Sequence, residues 1–558
     1  MKTKEIYEEL ADLFVAEGVT TQFSLLGDAN MHWATAMQTL KDVESIHVRH
    51  EHCAVTAAMG YFSATGKVGV ASVTHGPGFT QVMTALTTAA RGNVPLVLFT
   101  GEVSLSEKWN QQTIDQQGLA TICGAHYISA HFPDRLHQAV RDAFYVARYE
   151  RKPVVLGVPY DFQRLPAPDL GAYTPSSEVI PTYVPVPPHP DQIEQMASLL
   201  GKARCPIFIG GRGALWAGAV SAIEKLADRS GALLSNTLAA RGMFDHNPFS
   251  LGVSGGFARE LTAEVMAGAD LVIAFGASLS YHTLSGGKMF PRATVVQVSL
   301  EPTGLHHGLK TADIHVRADT KLTVDALAAA YERRGEKISA IRSDALARRI
   351  KETPADSEVF QLEPNTVDPR EAFAELEKVI PKDYDVVSGA GHQAYFHAPM
   401  RGYDPAKYHL MRYFSAIGNA LGFTLGVATA RGNGRVVLFD GDGGLIMHIQ
   451  ELETMQRHGI KALLVCANDG AYGAELHKLR HDRVAAYTAT FGRPDFAAIA
   501  RGFGLRGATI TSVDQIAPLL QQYEEGETAM VWDMHISDTV VSPGAREGLK
   551  HRKAPRIE

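Results

Sequence analysis

Two short stretches carry residue types able to do chemistry at a defined spacing. Asp440-Gly441-Asp442-Gly443-Gly444 follows the apolar run RVVLF, and Asn468-Asp469-Gly470-Ala471-Tyr472-Gly473 follows ALLVCA, with 24 residues between Gly443 and Asn468. A helix and a strand fit that interval. Both turns would then lie at the carboxyl ends of neighbouring parallel strands, where α/β sheets bind ligands. Asp442, Asp469 and a main-chain carbonyl near Ala471 offer only oxygen, the donor set of a hard divalent ion. Mg²⁺ bound this way keeps positions free for phosphate oxygens. Gly443 and Gly444 would let a phosphate come close to the following helix N-terminus. Ordinary strand-to-helix turns also favour Gly, Asp and Asn; two such turns at this spacing favour the binding reading.

The elements that must position these residues read as an α/β protein. A chain of 558 residues predicts three or four domains. Residues 1–165 alternate helical and strand-like segments, beginning with Ile6, Leu10, Leu13 and Phe14 on one helical face. Strands are expected at QFSLL, ESIHV, VGVASV, PLVLFT and PVVLGVP. The proline-rich stretch 164–190 is a stiff connector outside any core. A second unit (190–340) has strands at PIFIGGRGA, ALLSNT, DLVIAFGAS and TVVQVSL, and a third (367–540) at DVVSGAG, RVVLF, ALLVCA and TAMVWDMHI. Ile446, Ile449, Leu452 and Met455 predict one helix after the first acidic turn. Residues 541–558 form a basic tail without apolar periodicity, read as a mobile end or a flap. Three parallel-sheet domains are therefore expected.

Composition excludes several classes. The formal charge is −7, with 45% hydrophobic and 20% charged residues, so no nucleic-acid partner is expected. No run approaches a membrane span. Four scattered cysteines and an acidic N-terminus in place of a signal peptide point to a cytoplasmic protein.

Gly441-Asp442-Gly443 and Asn468-Asp469 resemble the thiamin diphosphate fingerprint, GDG followed by NN, with Asp469 replacing the second Asn. The chain is similar over nearly its whole length to the superfamily of acetolactate synthase, pyruvate oxidase and pyruvate decarboxylase. The resemblance implies a pyrimidine-binding first domain, a central Rossmann-like domain and a diphosphate-binding third domain, with thiamin diphosphate and Mg²⁺ as cofactors. Asp442, Asp469 and Ala471 would hold the metal, and Gly391, Gly441, Gly443, Gly444 and Tyr472 would border the cofactor. RHEHCAVTAAMGYFSATGKVGVASVTHGPGFTQ (49–81) resembles the pyrimidine-binding segment. Glu51 would then hydrogen-bond the aminopyrimidine and favour the tautomer that deprotonates the thiazolium carbon; alone, it could equally open a helix. Gly76-Pro77-Gly78 resembles the loop beside the cofactor, preceded here by His75, either a proton carrier or a packed histidine. Ile417 falls where a bulky apolar residue bends the cofactor, or is a core residue.

The resemblance is mixed as to reaction. Asp28, in Gly27-Asp28-Ala29-Asn30, and Glu475 match the decarboxylase acids, although a turn residue and a solvent-facing helix residue would look the same. Gln111-Gln112 stand where decarboxylases have histidines, and Gln112 matches a glutamine of acetolactate synthases. Glutamine can hold a carbonyl but cannot relay a proton. Decarboxylation of a 2-oxo acid is expected, with ligation to a second carbonyl; the alternative is cleavage of an acyloin or diketone. Gly210-Gly211-Arg212-Gly213 could be a phosphate turn, but no FAD is expected. The basic tail could cover the site. Family members build the site between two subunits, which implies a homodimer at least and commonly a homotetramer.

Overall fold

The computed structural model describes residues 4–302, 311–335 and 338–550. It contains three six-stranded sheets in which every strand pairing is parallel. The first comprises β1 (Thr21–Ser24), β2 (Glu44–His47), β3 (Gly69–Val73), β4 (Leu96–Glu102), β5 (His126–Ser129) and β6 (Pro153–Pro159). The second comprises β7 (Pro206–Gly210), β8 (Leu233–Asn236), β9 (Ser250–Val253), β10 (Leu271–Phe275), β11 (Thr294–Val298) and β12 (Ile314–Val316). The third comprises β13 (Asp385–Ser388), β14 (Tyr408–Leu410), β15 (Val436–Gly441), β16 (Leu463–Asn468), β17 (Arg506–Ile510) and β18 (Met530–His535).

The first and third sheets share one topology, β2-β1-β3-β4-β6-β5 and β14-β13-β15-β16-β18-β17. The second runs β12-β11-β10-β7-β8-β9, the doubly wound dinucleotide order. The twin sheets are joined through one core. Their equivalent helices, Glu51–Thr65 and Ala420–Arg431, pack against each other at glycines. A Cβ on Gly60 would stand 2.1 Å from the Phe423 carbonyl, and one on Gly426 would stand 1.8 Å from the Ala57 carbonyl. Only glycine permits that approach. One buried cluster accordingly runs from Phe23 and Met59 through Phe423 to Leu438 and Val531.

Strands in the sheet interiors match the expected apolar runs. Five edge strands, β5, β9, β12, β14 and β17, have no counterpart among the expected strands. They are short, and most are partly exposed, so they lack the continuous apolar run that marks a strand buried on both faces. Three further expectations are corrected. The helix after the first acidic turn is broken into Asp442–Leu445, a tight turn at Ile446–His448 and Glu451–Arg457, leaving Ile446 and Met447 exposed. The proline-rich connector is tied to the first unit, where the Tyr173 hydroxyl and Ser176 amide both donate to the buried Glu17 carboxylate. The tail is ordered over Pro543–Lys550 as a helix whose Arg546 pairs with Asp356 and Glu260. Over those residues the tail is docked against the rest of the chain. Arg552 and Lys553 lie outside the described residues.

Candidate active site

In the third sheet the crossover reverses between β13 and β15, so the loops leaving their carboxyl ends diverge and open a crevice. Gly389 and Gly391 line one side of it and Asp440 the other. A Cβ on Gly389 would meet Asp440 Oδ1 at 2.1 Å. Gln393 donates from Nε2 to that oxygen at 3.4 Å, while Asp440 Oδ2 is buried without a partner. Asp442 caps the next turn, accepting from the Gly443 and Gly470 amides at 2.7 Å each. Asp469 accepts from the Ala471 amide at 3.3 Å. Tyr472 lies over Gly443, where an added Cβ would touch its ring at 2.8 Å.

Burial decides the charge state of these acids. Burial pushes Asp440 up to about 8, against the Gly441 amide and with the help of neighbouring Asp442. Burial likewise raises Asp442 to about 7, opposed by the Gly443, Gly470 and Ala471 amides and Arg493. Asp469 is raised first by burial and then by Asp442. Among the described residues no three His, Cys, Asp or Glu side chains form a metal-binding group. An ion here would have two carboxylates and a main-chain oxygen from the protein. That set fits Mg²⁺, which takes its remaining ligands from water and phosphate.

The first sheet has the same reversal, between β1 and β3. Gly27-Asp28 follows β1, Thr74-His75-Gly76 follows β3, and a Cβ on Gly27 would strike Thr74 at 2.6 Å. Gly76 has φ +61°, and a side chain there would also collide with the Gln112 carbonyl at 2.4 Å. Its amide donates to the buried Gln116 Oε1 at 3.0 Å, and Gln116 Nε2 donates to the Gly101 carbonyl at 3.0 Å. The glycine loop is thus held from below by Gln116 and roofed by Gln112. Asp28, His75 and Gln112 line one cavity of about 530 Å³. His75 is buried with neither ring nitrogen hydrogen-bonded, beside Tyr160 at 6.2 Å between ring centroids. Burial lowers its pKa, against Asn110, Asp28 and Glu107.

Glu51 and Ile417 occupy equivalent places, each before or at the start of the helix that follows the second strand of its sheet. Glu51 opens its helix beside the glycine loop: a Cβ on Gly78 would stand 3.6 Å from Glu51 Oε1. Ile417 is half-buried in the loop before Ala420 and belongs to none of the buried clusters, which removes the reading as a simple core residue.

The sequence matches three family models in chain order. These are the thiamine pyrophosphate enzyme N-terminal binding domain at residues 4–119, its central domain at 193–327 and its C-terminal binding domain at 389–534. The chain belongs to the thiamine pyrophosphate enzymes. Among its relatives is the acetolactate synthase large subunit of Parasynechococcus marenigrum, 28% identical over 94% of this chain and 86% of that protein. The acetolactate synthase isozyme 2 large subunit of Escherichia coli is 27% identical over 95% of this chain and 96% of its own. The large subunit from Haemophilus influenzae is 27% identical over 91% and 90%.

Within the chain of this thiamine pyrophosphate enzyme the expected residues form two groups. Asp28, His75 and Gln112 share the first-sheet cavity, with Glu51 beside the glycine loop. Gly391, Gly441, Asp442, Gly443, Gly444, Asp469, Ala471 and Tyr472 gather at the third sheet. Glu475 joins neither interior: it stands on the Gly473–Asp482 helix, exposed and paired with Lys478 at 3.1 Å. In the central domain the Gly210-Gly211-Arg212-Gly213 turn packs closely against the neighbouring strand end. Cβ atoms on Gly211 and Gly213 would collide with Gly276 at 2.3 and 2.9 Å, and Arg212 turns away to Tyr413 and Trp216. Sequence reading missed Tyr160, Asp161 and Asn110, which also line the cavity, and Gln116 and Gln393, which brace the two glycine loops. Gln116 sits at the start of a helix four residues after Gln112, and nothing in its spacing marks it out.

Proposed function

We propose that this enzyme uses thiamin diphosphate and Mg²⁺ to decarboxylate a 2-oxo acid and to join the product to a second carbonyl compound. The observation that carries this reading is the single cavity holding Asp28, His75 and Gln112 beside the loop that Glu51 adjoins. When bound, the cofactor supplies a carbon nucleophile and an electron sink. Asp442, Asp469 and the Ala471 carbonyl would hold the metal. Gly391, Gly441, Gly443 and Gly444 leave room for the diphosphate, Tyr472 borders it, and Ile417 would press on the cofactor from its loop. Glu51 would present its carboxyl to the pyrimidine ring and hold the proton there. Asp28 and His75 would carry protons to and from the reacting oxygen and carbon. Gln112 would hold the acceptor's carbonyl oxygen without protonating it.

The two groups of residues lie at different sheets, and the site would close when the first-sheet half of one subunit meets the third-sheet half of another. Glu475 would come to the Asp28 cavity from that partner. A homodimer is then the functional minimum and a tetramer two such pairs. A 2-oxo acid labelled at its carboxyl carbon, offered with and without an aldehyde, tests the proposal. Labelled carbon dioxide with an acyloin product is expected. Silence across a panel of oxo acids, with turnover of hydroxyketones or diketones, would favour carbon–carbon cleavage.

A further inference from the structure

Between the second and third sheets lies a cavity of about 230 Å³ that shares no residue with the site above. Phe257 and Tyr395 stack in its wall, 4.4 Å between centroids and 17° between planes. Phe373, Phe396 and Met400 make its apolar floor. Two guanidinium groups face it without an ion-pair partner among the described residues. Arg259 donates from Nη1 to the Ile350 carbonyl at 3.3 Å, but its buried Nη2 has no partner. Arg401 donates from Nη2 to the Ser250 carbonyl at 3.1 Å. Burial and the proximity of Arg401 lower Arg259 to about 10, against Asp245, and the Asp245 carboxylate already accepts from the Gly402 amide.

The remaining charges on the wall narrow the ligand. Arg370 is held by Asp368 and Asp356, and Asp356 also holds Arg546. Glu377 accepts from the Arg401 amide at 2.8 Å. Lys351 also lines the wall, so with Asp356 and Asp368 already paired the free charge there is positive and selects an anion. A planar carboxylate matches the guanidinium fork, and a ring slides against the stacked pair. We propose that this cavity binds a small organic carboxylate with a flat apolar body, its carboxylate on Arg259 and Arg401 and its body against Phe257 and Tyr395. The Pro543–Lys550 helix closes one side, since Gly544 abuts Tyr395 with room for no side chain. Tyr395 lies two residues from Gln393, which reaches Asp440.

Calorimetry on the full-length enzyme with cofactor and Mg²⁺ tests this, using 3-phenylpropanoate, its neutral amide and phenyl phosphate as probes. Saturable binding of the carboxylate is expected, with the amide weaker by about tenfold or more. Arg259→Gln should lose the same factor, and Asp28→Asn, in the other cavity, should not. Equal binding of acid and amide, preference for phenyl phosphate, or loss in Asp28→Asn but not in Arg259→Gln would overturn the assignment. If Arg259→Gln melts early, Phe257→Leu replaces it, and the three probes on the unaltered enzyme decide by themselves.

Discussion

The first and third sheets are twins in topology and opposites in chemistry. Each opens a crevice at the same reversal of strand order, and each carries a glycine loop and an acid there. At the third sheet the acids are Asp440 and Asp442, buried, and Asp469, half-buried, all held above the usual carboxylate range first by removal from water. At the first sheet Asp28 is exposed at the rim of a roomy polar cavity. The same fold thus carries a cluster of acids withdrawn from water at one reversal and an open polar cavity at the other, and the difference lies in the loops.

The sharpest way to break that division is at Glu51. Glu51→Gln should lower kcat by about 10²- to 10⁴-fold while cofactor affinity, set at the other sheet, changes by less than about tenfold. Unchanged turnover by steady-state assay would remove Glu51 from the chemistry. A mixture tests whether the halves meet between subunits. Glu51→Gln and Asp442→Asn proteins, each inactive, should recover roughly a quarter of the wild-type rate when unfolded together and reassembled, because half the random dimers carry one intact site. No recovery despite mixed dimers would place both halves of a site in one chain.

The helices that bind the twin sheets together carry the next effect. His52 is stacked on His448 at 4.7 Å, near His50, and contacts Asn419 at 2.7 Å. Burial, His448 and His50 lower its pKa to about 3, against the Asn419 contact. The unfolded chain therefore takes up the proton first as pH falls below about 6.5, and the stability His52 contributes at neutral pH is lost progressively. Between pH 7 and 5 the loss is about 2 kcal/mol. It is read as the difference between wild type and His52→Gln in denaturant melts, which cancels the opposing titration of the buried acids. Parallel pH profiles would refute it. Smallest is the effect of Gln112→His: an added proton relay should shift product from acyloin toward free aldehyde by about fivefold to tenfold, measured by chromatography of products. An unaltered ratio would free Gln112 of its part in ligation.

The arrangement of the third-sheet acids was legible in the sequence because they are local. Strand, Gly-Asp-Gly and a second strand with Asn-Asp fix both turns within one crossover, and parallel-sheet geometry does the rest. The glycine loop at Gly76 was legible for the same reason. The wall of the first-sheet cavity was not, since Asn110, Tyr160 and Asp161 come from loops separated by whole strands. Gln116 and Gln393 escaped because bracing a loop through a buried amide leaves no mark on periodicity. The duplicated topology was hidden as well. Identical strand orders do not require similar residues, and the edge strands that complete the pattern, such as β5 and β17, are too polar to announce themselves.

The proposed chemistry requires the third-sheet acids to receive a metal and a diphosphate. Titrating purified protein with thiamin diphosphate in a calorimeter, with Mg²⁺ and then with excess chelator, measures this directly. Saturable heat that vanishes with the chelator and in Asp442→Asn is the predicted result. Uptake of equal strength in Asp442→Asn, or no uptake by the wild type with Mg²⁺ present, would contradict it.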